Sequence, residues 1–473
     1  MWPVRRRTFL KAGLASAGAY ALGSSFWRQA YSAPAVPGPG PYGALLPADA
    51  NGVMLPQGFT SKILAVGLEP VGDTGYPWHP SSDGAAVILA EGGGWYYAAN
   101  SEFPVLGGAS AIAFDANGEI VDAYRMLTGT SLNCSGGKTP WGTWISGEEH
   151  PEGLMWECDP TGPGEGLPLP MLGLFSHEAV TVDPDDKKLY LTEDQTGPDE
   201  GDGFYRFTPE NYPDLSAGVL EAAVRADDGS VTWVEINPLV ARAVERAVAP
   251  DYGATPFDGA EGVWYDQGHV YFTTKGDNKV WDLDVAAQRI DVLYDAAQFG
   301  DAAPLTGVDN VTRSIADDLY VAEDGGNLEI VIISREGEVA QFLRLPNQNP
   351  ASLEEGGTEL SGVAFDPSGT RFYFSSQRAI PEGFAAPPGF PFPGPGIVYE
   401  ITGPFRTAAA QTVPTTTTTT AAALPSTGDE DAEGGGLPAT GTSAAFAALG
   451  AGAAAAAAAI RVATRAAEDT EPT

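Results

Sequence analysis

Sulfur and imidazole are scarce in this 473-residue chain, which has two cysteines (Cys134 and Cys158) and four histidines (His79, His150, His177 and His269). So few histidines argue against a His-dominated di-zinc centre, and two cysteines are too few to staple a fold of this size. Positive charge is short as well: 25 Lys and Arg face 62 Asp and Glu, a formal charge of −37. Five of those cations, Arg5, Arg6, Arg7, Lys11 and Arg28, fall in an N-terminal segment expected to be removed. No nucleic acid is expected as a partner. Ser176-His177-Glu178 has no Gly-x-Ser-x-Gly elbow, which argues against a serine hydrolase. What is plentiful is glycine (59) and proline (39), with 10% aromatic residues. That mix suits many short strands joined by tight turns and leaves few helices, Ala241 to Val248 being the clearest candidate.

Both ends read as address labels. Arg6-Arg7-Thr8-Phe9-Leu10-Lys11 precedes an apolar Ala/Gly-rich run from Ala12 to Trp27 and small residues near Ala33. This is the layout of a twin-arginine signal over residues 1–33, with the twin-arginine translocase as export partner and an uncleaved membrane anchor as the alternative. At the other end, the threonine run Thr415 to Thr420 lies in a Thr/Pro/Ala/Gly-rich linker over 406–436, too poor in apolar residues to build a core. Leu437-Pro438-Ala439-Thr440-Gly441, an Ala-rich run from Ala444 to Ile460, then Arg461 and Arg465 resemble a sortase sorting signal of Gram-positive bacteria over 437–473. The resemblance implies sortase and peptidoglycan as partners, Thr440 as the attachment residue, and an exported protein anchored at the cell wall. A plain C-terminal transmembrane helix is the alternative.

Between them, residues 43–405 alternate short apolar runs with polar turns. Ala179 to Asp183, Gly262 to Asp266, Asn310 to Thr312 and Gly362 to Asp366 are each followed by a second strand-like run: Lys188 to Thr192, Val270 to Thr274, Asp318 to Ala322 and Arg371 to Ser375. Ala111 to Asp115 has the same texture. β-Branched and aromatic residues dominate these pairs. A pair recurring every 50 to 80 residues or so predicts an all-β, six-bladed β-propeller with loop insertions, whose inner strands converge on one axis. A two-sheet sandwich is the alternative and would scatter the same residues along its edges.

The acids cluster at strand ends. NCSGGKTPWGTWISGEEH (133–150), SHEAVTVDP (176–184), LYLTED (189–194), AEGVWYD (260–266), VDNVT (308–312) and LYVAEDGG (319–326) each carry a carboxylate beside an apolar stretch. Oxygen-rich clusters suit hard cations, and a thiolate among them suits a transition metal. For Cys134 two other readings stand: a disulfide to Cys158, or a buried inert thiol. In the adjacent pairs Glu148-Glu149, Glu193-Asp194 and Glu323-Asp324, strand alternation lets only one member face the axis.

In this order and behind a twin-arginine signal, NCSGGKTPWGTWISGEE, FSHEAVTVDP, LYLTEDQTG with GFYRFTP, EGVWYDQGHVYFTTKGDN and DNVTRSIADDLYVAEDGG resemble the PhoX-type alkaline phosphatases over about Trp95 to Arg378. The resemblance implies a six-bladed propeller that hydrolyses phosphate monoesters with calcium and iron. It implies Cys134 as an iron ligand, and Glu102, Glu148, Glu149, Glu178, Glu193, Asp194, Glu261, Asp309, Glu323 and Asp324 as further metal-ligand candidates. Lys275, Arg313 and Arg378 sit at strand ends and are the candidate catalytic contacts to phosphate. Bound cations would reverse the local sign and admit a small-molecule phosphate ester to an acidic protein. A calcium-stabilised propeller for adhesion or scaffolding, or another propeller hydrolase such as a lactonase or phosphodiesterase, are the rival readings.

Overall fold

Six antiparallel sheets form the blades of a β-propeller, and their innermost strands follow one another around a single axis. The structure is a computed structural model and describes residues 34–194, 202–239, 253–346 and 357–407. The expected twin-arginine signal, most of the linker, the sorting signal and the helix proposed at Ala241 to Val248 lie outside those residues. Among the described residues the only helical pieces are four short 3-10 turns.

The inner strands are Ser82–Leu89, Asn133–Lys138, His177–Asp183, Ala260–Asp266, Val308–Arg313 and Leu360–Phe365, which number blades 1 to 6. Blade 6 is closed by the N-terminal strand Thr60–Val66 pairing with Ile397–Thr402, so the two ends of the propeller sequence share one sheet. Val36–Pro37 adds a parallel edge strand to blade 5, and Ala35 is buried there. The packed part therefore begins before residue 43.

Each adjacent pair of blades encloses its own apolar core. Blades 1 and 2 bury Ile88, Ala111, Trp144 and Cys158 together; blades 5 and 6 bury Tyr320, Phe342, Phe372 and Tyr399. Four further clusters fill the remaining interfaces in the same way. Flat blades need large side chains between them because the gap widens away from the axis. At the axis the strands crowd, and small residues are required: a Cβ on Gly84 would lie 2.5 Å from the Cα of Ser135.

The expected hairpins of blades 3 to 6 pair as inner strand with second strand. Ala111 to Asp115 belongs elsewhere, since Gly107–Phe114 is the third strand of blade 1. The inner strands of blades 1 and 2 are Gly/Ala/Ser-rich and carry too little β-branched character to stand out in the sequence.

Candidate metal centre

Every inner strand breaks register near its entry, and that irregularity builds the site. The shift falls between Ser82 and Ala85, Asn133 and Gly136, His177 and Val180, Ala260 and Val263, Val308 and Val311, and Ser361 and Ala364. A bulge adds an unpaired residue and re-aims its side chain. The first bulged residues are Asp83, Cys134, Glu178, Glu261, Asp309 and Gly362. The second strands contribute another set one residue past the last paired position: Glu102, Glu149, Asp194, Lys275, Asp324 and Gln377. Ten of these twelve positions carry a carboxylate, thiol or amine.

Blade 6 supplies the two exceptions. Gly362 has φ +64°, where an L side chain is strained, and a Cβ there would approach the Asp83 carbonyl at 2.7 Å. Its neighbours fill the gap. Glu359 brings a carboxylate within 4.8 Å of those of Asp83 and Glu102. Gln377 Nε2 donates to Asp83 Oδ2 at 2.5 Å and to Glu102 Oε2 at 2.7 Å. Arg378 Nη2 donates to Glu102 Oε2 at 2.8 Å.

A second group, Cys134, Glu149 and Glu178, also has ligand atoms within 4.8 Å of one another. The Cys134 thiol donates to Asp83 Oδ2 at 3.3 Å and so joins the two groups. On the far side, Lys275 Nζ lies 2.5 Å from Glu261 Oε1, 3.2 Å from Asp324 Oδ2 and 3.4 Å from Asp194 Oδ2. Asp309 faces the same region and accepts from Asn310 Nδ2 at 2.7 Å.

The electrostatics ask for added positive charge. Burial, then the neighbouring Glu102 carboxylate, lift Asp83 to about 7. Burial first and mutual repulsion second push Glu149, Glu178 and Glu359 well above the carboxylate range. Burial and the charges of Asp83, Glu178, Glu149 and Glu102 do the same to the Cys134 thiol. Lys275 is held well above its usual range because Glu261, Asp324, Asp194 and Asp309 outweigh its burial. One lysine cannot neutralise the ring. Asp83 Oδ1, Glu178 Oε2 and Gln377 Oε1 are buried without a hydrogen-bond partner, which costs free energy unless an ion completes them. Crowded oxygen donors, with a sulfur at one edge, fit hard cations with one transition metal among them.

Several expected site residues lie elsewhere. Glu148, Glu193 and Glu323 sit at the paired position and point to the other face. Glu148 accepts from the Ser131 amide at 3.0 Å and from Trp156 Nε1 at 2.9 Å. Glu193 accepts from the Tyr205 hydroxyl at 2.6 Å, and Glu323 from the amides of Thr306 and Glu329 at 3.0 and 3.1 Å. Each holds a loop or strand in place with oxygens turned from the axis. Arg313 ends its inner strand at the opposite end from Asp309 and pairs with Asp266 and Asp317. It stands about 13 Å along the strand from the ring, too far to touch a substrate there. Both cysteines are free: Cys158 is buried between blades 1 and 2, so no disulfide links it to Cys134. Asp83, Glu359 and Gln377 were not anticipated from the sequence. The signal for Asp83 was available, since an acid followed by glycine opens the inner strand there as Glu261-Gly262 does in blade 4.

The chain is similar to several known proteins. The family model described as alkaline phosphatase PhoX matches residues 96–157 and 150–292. Among solved structures, PhoX of Pseudomonas fluorescens in complex with vanadate, a transition state analogue, superposes with a TM-score of 0.60 at 17% identity, covering 76% of this chain and 97% of that one. A gluconolactonase of Xanthomonas campestris gives 0.44 at 12% identity, covering 77% and 99%. No curated protein matches the sequence.

Proposed function

From its membership of the PhoX-type alkaline phosphatase family, we propose that this chain hydrolyses phosphate monoesters at the axial carboxylate ring, with calcium and iron as its cations. The observation that carries the reading is the union of that ring with Arg378. The Arg378 guanidinium is anchored to Glu102, and its Nε is buried with no partner. An unfilled cationic donor beside an anionic ring suits a substrate that is itself anionic and arrives between bound cations and the arginine.

Cys134, Glu149 and Glu178 would hold iron, and Asp83, Glu102 and Glu359 would hold calcium, following sulfur and oxygen preference. Bound cations supply charge neutralisation of the phosphoryl oxygens and of the leaving alkoxide. Arg378 orients the phosphate through its free Nε and is kept in place by Glu102 and by the ring of Phe392, 4.6 Å from its Cζ. Lys275 is a positioning residue: its ammonium is already shared among Glu261, Asp324 and Asp194, and it draws those carboxylates together. Gln377 bridges Asp83 and Glu102 and fixes their separation.

A substrate panel with the exported, metal-loaded protein tests this. p-Nitrophenyl phosphate should be hydrolysed in strong preference to bis-p-nitrophenyl phosphate or a lactone, and chelation should abolish the activity. A preference for the bis ester or the lactone would replace the reading with another hydrolase. Calcium without iron on elemental analysis, and no turnover, would favour an adhesive propeller.

The location belongs to the same proposal. Export by the twin-arginine route suits a protein whose ions are chosen before release, and Leu437 to Gly441 supplies the wall anchor, with sortase and peptidoglycan as partners. Thr440→Ala should move the protein from the wall fraction to the medium. Unchanged retention would remove sortase attachment.

A further inference from the structure

We infer that the apolar rim formed by Phe103 to Leu106 and the Pro/Phe-rich loop after Arg378 binds the organic group of the ester, and selects phosphate esters of apolar alcohols or phenols over those of polyols. The inference rests on the phosphomonoesterase reading and adds to it the class of alcohol.

Two segments meet at the rim. Glu102 and Arg378 belong to the centre, and an apolar segment follows each, half-buried at Phe103 and Pro104 and exposed at Val105, Leu106 and Ile380. Phe103-Pro104-Val105-Leu106 follows Glu102, and residues 379–396 follow Arg378 with six prolines and three phenylalanines. The two segments touch through their rings. Phe103 lies 5.5 Å from Phe390 and 5.6 Å from Phe392, and Phe384 lies 5.9 Å from Phe390, each between centroids. Phe392 also covers the Arg378 guanidinium. A continuous path of contacts therefore runs from the carboxylates through Arg378 into an aromatic cluster.

This cluster is not an interior core. Its four rings are only partly buried, and Val105 and Leu106 are 79% and 70% exposed. Val105 has φ +67°, an uncommon and costly backbone conformation for a β-branched residue. The surrounding chain holds it there: its amide donates to Ser131 Oγ at 2.9 Å, and the Ser131 amide donates to Glu148. Strain maintained at an exposed apolar tip beside a site is a pattern of function rather than of packing. The prolines restrict the facing loop before any ligand arrives, which lowers the entropic cost of binding.

The side chains of Phe103, Val105, Leu106, Phe384, Phe390 and Phe392 offer no hydrogen-bond donor or acceptor. A sugar or glycerol phosphate placed with its phosphate at Arg378 would lay hydroxyls against carbon and lose their water. An aryl or alkyl group would instead gain ring contact and bury apolar surface.

The test compares 1-naphthyl phosphate with glycerol 3-phosphate on the metal-loaded protein. The wild type should show the higher kcat/KM on the naphthyl ester. Phe390→Ala, and separately the surface change Leu106→Asp, should raise KM for 1-naphthyl phosphate by about ten-fold, the scale of one lost aromatic contact, and leave KM for glycerol 3-phosphate within about two-fold. Equal losses on both esters, or no change on either, would overturn the inference while leaving the phosphatase reading intact. Failure of the wild type to hydrolyse either ester would bring down both. A shift of Leu106→Asp in sedimentation without a change in KM would assign the rim to contact between copies and likewise end the proposal.

Discussion

Cys134 and Cys158 show how position decides chemistry at the residue scale. Both are buried thiols, yet only Cys134 opens an inner strand at the bulge and meets carboxylates; Cys158 faces Leu127 and Trp144 between blades. Cys134→Ala should therefore remove a transition metal from the purified protein and lower kcat at least 100-fold, whereas Cys158→Ala should leave metal content unchanged and cost about 1–2 kcal/mol in denaturation as a small core cavity. Loss of metal from the Cys158 variant alone would reverse the assignment. The two arginines divide in the same way. Arg378→Ala should raise KM for phosphate esters about 100-fold, because a charge-assisted contact is worth about 2–3 kcal/mol. Arg313→Ala should leave KM near wild type and lower the melting temperature, since its partners Asp266 and Asp317 lie at the other end of the strand. A raised KM in Arg313→Ala would place it at the site after all.

The working element is the bulged inner strand with its second-strand partner. Inter-blade hydrogen bonds secure it: Asn100 Nδ2 donates to the Ser135 carbonyl at 2.6 Å, Thr273 Oγ1 to the Asp309 carbonyl at 2.6 Å, and Thr192 Oγ1 to the Glu261 carbonyl. These carbonyls lose their ladder partner at the bulge, and the neighbouring blade replaces it. Thr273→Val keeps the side-chain shape but strands a buried carbonyl, so it should cost about 1–3 kcal/mol in urea denaturation and weaken metal retention at Asp309. Stability within about 0.5 kcal/mol of wild type would show that the bond contributes little. The element also explains which residues were legible. Blades 3 to 6 announce themselves through Val, Tyr and Phe at alternate positions, and the family motifs carry Cys134, Glu178 and Asp309 to the axis. Asp83 and Glu359 were hidden because Ser-Asp-Gly-Ala and Glu-Leu-Ser-Gly look like turns, and a bulge has no hydrophobic period to betray it. Strand alternation allowed one acid of each pair at the axis; only the register shows that it is the second.

At the scale of the whole molecule, six blades bring to one axis charges that lie far apart along the chain, 276 positions in the contact of Arg378 with Glu102. The fold, stabilised by its inter-blade cores, thus holds together a ring whose carboxylates repel one another. That opposition has a pH signature. Asp83 is raised to about 7, and Glu149, Glu178, Glu261, Asp309 and Glu359 are also raised well above the usual carboxylate range, in each case by burial before anything else. A carboxyl raised in the folded state keeps its proton where the unfolded chain has released it. Its contribution to stability is therefore complete below about pH 4 and is lost as pH rises through 7. For Asp83 alone the loss is on the order of 4 kcal/mol. The chelated protein should accordingly melt at progressively lower temperature as pH increases from 4 to 8. Bound cations stabilise the ionised ring, so restoring calcium and iron should cancel or reverse the slope, and the separation between loaded and stripped protein should widen with pH. Parallel melting curves for the two forms across this range would mean that the axial carboxylates hold no ions, and the ring would then need another explanation.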